Sequence, residues 1–139
     1  MALKIEKVDV WSGIIRDVSG GLAAVIGPLV AAGADFSFLL ARRQPDRPGS
    51  GVVFLGGLRG ARQIKAAQSV GLSRPADVAC LRLEATDKPG LVQQLLTKLS
   101  AAGINLRGVS ASVIGKRCVV HLAFETAADR DAAVRYLRA

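Results

Sequence analysis

The chain has 139 residues, half of them hydrophobic, a mean hydropathy of +0.34 and a formal charge of +8. That length holds one domain or two very small ones, and the apolar content is ample for a packed core, which excludes a disordered chain. No apolar run approaches a membrane span, and Met1-Ala-Leu-Lys-Ile-Glu6 lacks the apolar stretch of a secretory leader, so a cytoplasmic protein is expected.

An extended stretch runs from Leu3 to Ile15 and contains Val8, Val10 and Trp11. A turn at Asp17-Val-Ser-Gly-Gly21 leads into a helix from about Gly21 to Ala32. Gly27-Pro28 lies inside that helix, where proline removes a backbone bond and should bend it. Phe36 to Leu40 reads as a second strand. The polar, Pro/Gly-rich run Gln44–Gly51 reads as a hairpin connection, and Val52–Leu55 as a third strand. Leu58 to Val70 is a second helix with Ala61, Ile64 and Ala67 inward, and Gly71-Leu-Ser-Arg-Pro75 is a joint.

The plan then starts again. Leu81, Leu83 and Ala85 alternate with Arg82 and Glu84 at strand period. Asp87 can cap the next helix, and Pro89 suits its first turn because its φ is preset and no N–H is needed there. Val92, Leu95, Leu96, Leu99 and Ala102 share one helical face, and Gly103 sits where a helix ends in a left-handed residue. Ile104 and Leu106 open a strand that ends over Val109–Ile114, and Val119–Phe124 is its hairpin partner. Thr126-Ala-Ala-Asp129 is a capping-box-like start for a last helix holding Val134 and Leu137.

A shift of 70 residues superimposes the two halves: Asp17 falls on Asp87, Gly20 on Gly90, and Ala31-Ala-Gly33 on Ala101-Ala-Gly103. Leu22, Val25, Ile26 and Leu29 fall on Val92, Leu95, Leu96 and Leu99, and Asp35 falls on Asn105. A helical stripe and both its boundaries repeat without a gap, so the chain is read as two copies of one unit, 1–72 and 73–139. Each copy lacks a fourth strand of its own. Lys4–Val8 is expected to complete the second unit and residues near Leu72–Val78 the first, since an open sheet edge needs cover.

The order strand, Asp87-Lys-Pro-Gly90, amphipathic helix, Ala-Ala-Gly103-Ile104-Asn105, strand resembles the ACT domain. The resemblance implies an α+β fold of two ferredoxin-like βαββαβ units in tandem, with edge strands exchanged between them. It also implies a non-catalytic regulatory protein, similar to the glycine-cleavage repressor type, with no cofactor. In the ACT family the turn after the first strand and the Asn opening the second touch a bound amino acid at the seam between two units. The corresponding positions are Asp87, Gly90, Leu91, Val92, Ile104 and Asn105, with Asp17, Gly20 and Asp35 as their degenerate counterparts. The implied partners are an amino acid, an enzyme or regulator of amino-acid metabolism, and a second copy placed sheet edge to sheet edge. The serine-binding type carries a His two residues before the Asp; here Ala85 and Ile15 stand there, so serine is not implied.

The residues themselves support binding better than catalysis. Amides of Gly90, Leu91 and Val92 open a helix and can receive a carboxylate, Asp87 can hold an ammonium group, and Asn105 offers a donor and an acceptor. Ser19 replaces the proline and Asp35 the asparagine in the first unit, where two acids would repel a carboxylate. The one histidine, His121, has no nucleophile or acid beside it in a motif, and it belongs to the sheet face opposite the helices. Cys80 and Cys118 form no metal-ligand spacing and point to different faces of their strands. The positive charge is dispersed, and the strand Arg117–Phe124 lacks the aromatic series that stacks RNA bases, so nucleic acid is not the expected partner. A basic nucleic-acid module and an assembly subunit with a vestigial ligand site are the alternatives.

Overall fold

The computed structural model describes residues 2–75 and 78–139. The elements in chain order are β1 (Lys4–Val8), β2 (Trp11–Arg16), α1 (Gly21–Ala31), β3 (Phe38–Arg43), β4 (Ser50–Gly56), α2 (Gly60–Ser69), β5 (Ala79–Thr86), α3 (Leu91–Ala101), β6 (Leu106–Ile114), β7 (Arg117–Phe124) and α4 (Ala127–Arg138). They form two compact units, Asp9–Pro75 and Met1–Val8 with Ala76–Ala139.

The carboxy-terminal unit is a four-stranded antiparallel sheet in the order β1-β5-β7-β6. Leu81, Leu83 and Ala85 of β5 and Cys118, Val120, Leu122 and Phe124 of β7 face one way, as strand alternation dictates. Leu91, Leu95 and Leu99 of α3 and Ala133 and Leu137 of α4 close over them. The last helix is capped as its sequence predicts, Thr126 Oγ1 accepting from the Asp129 amide at 3.0 Å. Lys4–Val8 supplies the fourth strand, registering from Lys4 with Glu84 to Val8 with Cys80. This is the ferredoxin-like order, with the edge strand taken from residues that precede the other unit in the chain. Lys7 Nζ lies 3.0 Å from Asp131 Oδ1, which ties the strand to α4.

The amino-terminal unit repeats the plan with the sheet order β2-β4-β3. Its core is Trp11, Leu29, Val53, Leu55, Ala67 and Leu72. Among the described residues, the fourth position is held by one bridge, Ser12 N–H to Ser73 O at 2.8 Å and Ser73 N–H to Ser12 O at 2.9 Å. Gly13 makes this possible, because a Cβ there would stand 2.6 Å from Leu72 Cδ2 and 2.9 Å from Gly71 O. Of the segment expected to fill this edge, Ala76 and Asp77 lie outside the described residues.

The 70-residue repeat holds at the level of dihedral angles. Gly20 and Gly90 precede the two helices at φ 82° and 83°, and Ala32 and Ala102 end them at φ −85° and −86°. Ala34 N–H reaches Leu29 O at 3.0 Å, and Ile104 N–H reaches Leu99 O at 3.0 Å.

Several sequence expectations need correction. The extended run Leu3–Ile15 is two strands broken at Asp9-Val10, because they belong to different sheets. Asp87 and Asp17 do not cap their helices: the N-cap residues are Gly90 and Gly20, with no side-chain cap bond. Pro89 lies in the turn before the helix rather than in its first turn. Ala61 is exposed, since α2 starts at Gly60 and its first turn points outward, while Ala67 is fully buried.

Helix α1 runs through Pro28 to Ala31. Interior glycine and proline cost about 1 and 3 kcal/mol relative to alanine. Gly27 has no φ requirement, and a Cβ there would meet nothing within 4 Å.

A chain beginning at Asp9 loses the β1 ladder and leaves an edge of β5 open. Faster amide exchange across Cys80–Glu84, with Val52–Leu55 unchanged, is the expected outcome of hydrogen-exchange mass spectrometry.

Candidate ligand-binding site

In each unit the strand–helix turn is clamped to the facing hairpin by one amide. Asp87 N–H donates to Lys116 O at 2.8 Å, and Asp17 N–H donates to Gly49 O at 3.0 Å. The clamp is followed by the left-handed glycine, which an L side chain occupies only with strain. Leu91 then drops into the core at 2% exposure, so it meets a ligand through its backbone alone. Its amide is already engaged by Lys88 O at 3.3 Å. The first bond of helical span runs from Gln94 N–H to Gly90 O at 2.9 Å. The Val92 and Gln93 amides precede it and have no acceptor within the helix.

Between this turn and β6 lies a cleft of about 390 Å³. Asp87, Gly90, Leu91 and Val92, four of the residues singled out from sequence, line it. Lys88, Gln93, Ser112, Ala111, Val113 and Cys118 complete the wall. The cleft thus offers a carboxylate and an ammonium group side by side, helix amides without a helical acceptor, and an aliphatic floor. That set suits a small zwitterion with an apolar side chain. The floor was readable in principle: Val113 registers with Cys118 and Ala111 with Val120, which puts them on the helix-facing side.

Ile104 and Asn105 are not in this lining. They lead into the other end of β6, where Ile104 packs against the core and Asn105 is exposed. Asn105 is six residues before Ala111 in the sequence, which along an extended strand is roughly 20 Å. One small ligand does not span that distance within one unit. In the other unit Asp17 carries an ion pair, its Oδ2 2.8 Å from Arg43 Nε, and Gly20 and Asp35 are exposed.

On the opposite face of the four-stranded sheet, Glu84 accepts from Arg82 at 3.1 Å and from Arg117 at 3.3 Å. The hydrogen bond from Arg117 holds the Glu84 carboxyl below its usual range. His121 registers with Arg82 and Ser110. Burial, with help from the Arg82 charge, pushes its pKa below the ordinary value of 6.5. Cys80 and Cys118 are both buried and reduced, and burial pushes the Cys80 thiol up, which disfavours the thiolate. Among the described residues no cluster of metal-ligating side chains occurs, and no helix is long and apolar enough to cross a membrane.

No family model matches the sequence, and no curated protein matches it. Solved structures do. A protein of Bacteroides thetaiotaomicron aligns over 98% of this chain and 88% of its own, at a TM-score of 0.72 and 15% identity. The ligand-free regulatory subunit of aspartate kinase from Thermus thermophilus aligns over 99% and 93%, at 0.65 and 16%. The chain has the tandem ACT fold. Aspartate kinase of Clostridium acetobutylicum aligns over 96% of this chain but 33% of its own length, at a TM-score of 0.60 and 16% identity. The tandem ACT fold thus accounts for the whole chain here and for one part of that larger enzyme.

Two stability tests follow. Gly90→Ala forces an L residue to φ 83° and is expected to cost about 1 kcal/mol by urea denaturation. Because His121 is harder to protonate in the fold, the unfolded chain takes up the proton first as pH drops below 6.5, so stability should fall on that side. His121 is the only histidine, and Glu84 and Asp131 titrate below 4.5 and 3.8. His121→Gln should therefore flatten the dependence of the urea midpoint between pH 7.5 and 5.5.

Proposed function

We propose that the protein is a non-catalytic regulator that binds an amino acid and transmits its presence to an enzyme or regulator of amino-acid metabolism. The ammonium group would meet Asp87, the carboxylate the Val92 and Gln93 amides with Lys88, and the side chain the floor of Ala111 and Val113. The regulatory subunits that share its fold support the reading.

The separation of the Asp87–Val92 turn from Asn105 carries the second half of the proposal. Strand β6 is an edge of nine residues, with Val109, Val113 and Ile114 exposed at 46, 54 and 71%. It contains no proline to block further pairing. Antiparallel pairing with β6 of a second copy would bring each Asn105, and Ile104 beside it, to the partner's turn and close the cleft. The homodimer is thus the proposed binding-competent form. Asp17, Gly20 and Asp35 are proposed as a weaker counterpart site, since the Arg43 ion pair occupies Asp17.

A thermal-shift panel of the common amino acids tests this. A ligand at about 100 times its Kd adds roughly 2.7 kcal/mol to stability. Asp87→Asn is expected to weaken that ligand roughly 10- to 100-fold, the loss of one charged hydrogen bond, and Asn105→Ala is expected to reduce the shift as well. A shift that survives Asp87→Asn intact, or no shift with any amino acid, overturns the proposal.

A further inference from the structure

The internal repeat places the two strand–helix turns against matching strand positions. The 70-residue register carries Ala41 onto Ala111 and Arg43 onto Val113. Beyond the hairpin, which is longer in the amino-terminal unit, Gly49 falls on Lys116 and Gly51 on Cys118, because each of Gly49 and Lys116 accepts the clamping aspartate amide. Strand pairing agrees: Ala41 registers with Val53 and Arg43 with Gly51, as Ala111 does with Val120 and Val113 with Cys118. Ala41 packs on the core, so Arg43, two residues on, leaves the strand on the helix side. There its Nε stands 2.8 Å from Asp17 Oδ2. The position that gives the Asp87 cleft its aliphatic floor thus carries a guanidinium in the other unit. The cation of the Asp87 turn is Lys88, whose counterpart is Val18. Each turn has one acid and one cation, but the cation stands in a different place. Asp87 and Lys88 show no ion pair among those observed, whereas Arg43 has closed on its acid.

We propose, on the reading of the Asp87 cleft as an amino-acid site, that Arg43 is the residue that shuts the amino-terminal turn to the same amino acid. Two effects add. The guanidinium stands where an ammonium group would meet Asp17, so binding must first break an ion pair. Its stem starts from the floor position, where Val113 would receive an apolar side chain, so the displaced arginine leaves a cation beside that side chain. The positive amino end of α1, with no acid in its first turn, adds to the repulsion of an ammonium group. A misplaced charge of this kind is a common means of rejecting a ligand that the rest of a site fits. The fold does not need the pair. The Arg43 side chain is 82% exposed and that of Asp17 34%, and ion pairs so exposed contribute little to folding. Arg43 is therefore a specificity-determining residue: the chain takes one amino acid, at Asp87, although its repeat provides two turns.

Nuclear magnetic resonance of the labelled full chain, with the common amino acids added one at a time, tests this, because the Gly20 and Gly90 amides report the two turns separately. In the wild type, an amino acid that saturates the Gly90 response is expected to leave Gly20 unmoved. Arg43→Val, which installs the residue of the other floor, is expected to make Gly20 respond to the same amino acid, its affinity there raised roughly tenfold or more by release of one charged contact. Calorimetry should then count two amino acids per chain in place of one. Adding Val18→Lys, which completes the pattern of the Asp87 turn, should tighten the new site further. Arg43→Lys keeps the cation and is expected to leave Gly20 silent, which separates the charge from the mere loss of an arginine. A Gly20 signal that stays unmoved in Arg43→Val while Gly90 responds overturns the role of Arg43 and leaves the Asp87 site standing. So does a wild type in which both glycines respond at the same concentration. A chain in which neither glycine responds to any amino acid overturns both readings together.

Discussion

A left-handed glycine ends each strand–helix turn, and the rest of each unit is built out from it. At φ 82° and 83°, Gly20 and Gly90 reverse the chain within two residues, which only glycine does cheaply. The reversal fixes the helix over the sheet, so that Leu29 in one unit and Leu91, Leu95 and Leu99 in the other reach the core. It also leaves the first helix amides facing outward beside the hairpin to which Asp17 or Asp87 is clamped. The same turn therefore sets both the packing and the chemistry of the cleft. A side chain at this point would be felt in both.

The second constraint is the sheet edge. β5 is central in its sheet and pairs on both sides, with β1 and with β7. The five-residue ladder to β1 joins residues about 75 apart in sequence, Lys4 to Glu84 and Val8 to Cys80. Closing so long a loop costs only slightly more than closing a short one, because the entropy grows with the logarithm of length. A distant strand can therefore complete the sheet at little extra cost. The matching edge in the other unit carries, among the described residues, the Ser12–Ser73 bridge.

The fold was legible in the sequence because its signals are local and occur twice. The stripe through α3, the left-handed glycines and the Thr126 cap each need only neighbouring residues, and the 70-residue register gave the stripe and the glycines a second witness. The site was legible in part. Asp87 and Gly90 stand where the motif implies, but the aspartates do not cap and the Leu91 amide is taken. Those facts depend on where a turn carbonyl points, which side-chain type does not encode. Ser112, Val113 and Cys118 come to the cleft through strand pairing across a hairpin, so they carry no local pattern near the motif. The break at Asp9-Val10 was hidden for a related reason: consecutive extended residues look alike whichever sheet they join.

Two copies of one fold in one chain also separate what the fold needs from what each copy has been given. Positions alike in both, the turn glycines, the clamped aspartate amides and the inward leucines, are those the βαββα plan requires. Positions that differ report surroundings. On the open sheet faces the carboxy-terminal unit carries Arg82, Glu84 and His121, whereas the corresponding strands of the amino-terminal unit carry Ile14, Leu40 and Phe54. On the helices Gln93, Thr97 and Lys98 stand against Ala23, Gly27 and Pro28. Asp87 is left without an ion pair among those observed, while Asp17 is neutralised by Arg43 at 2.8 Å. The amino-terminal copy has an apolar first helix and an acid paired with Arg43; the carboxy-terminal copy has a polar counterpart of that helix and a cleft lined by Asp87 and Lys88. Polar side chains outside are what solvent selects, and apolar ones outside persist where solvent is displaced. The divergence therefore lies outside the shared plan, in the side chains that each copy presents around its turn and on its sheet.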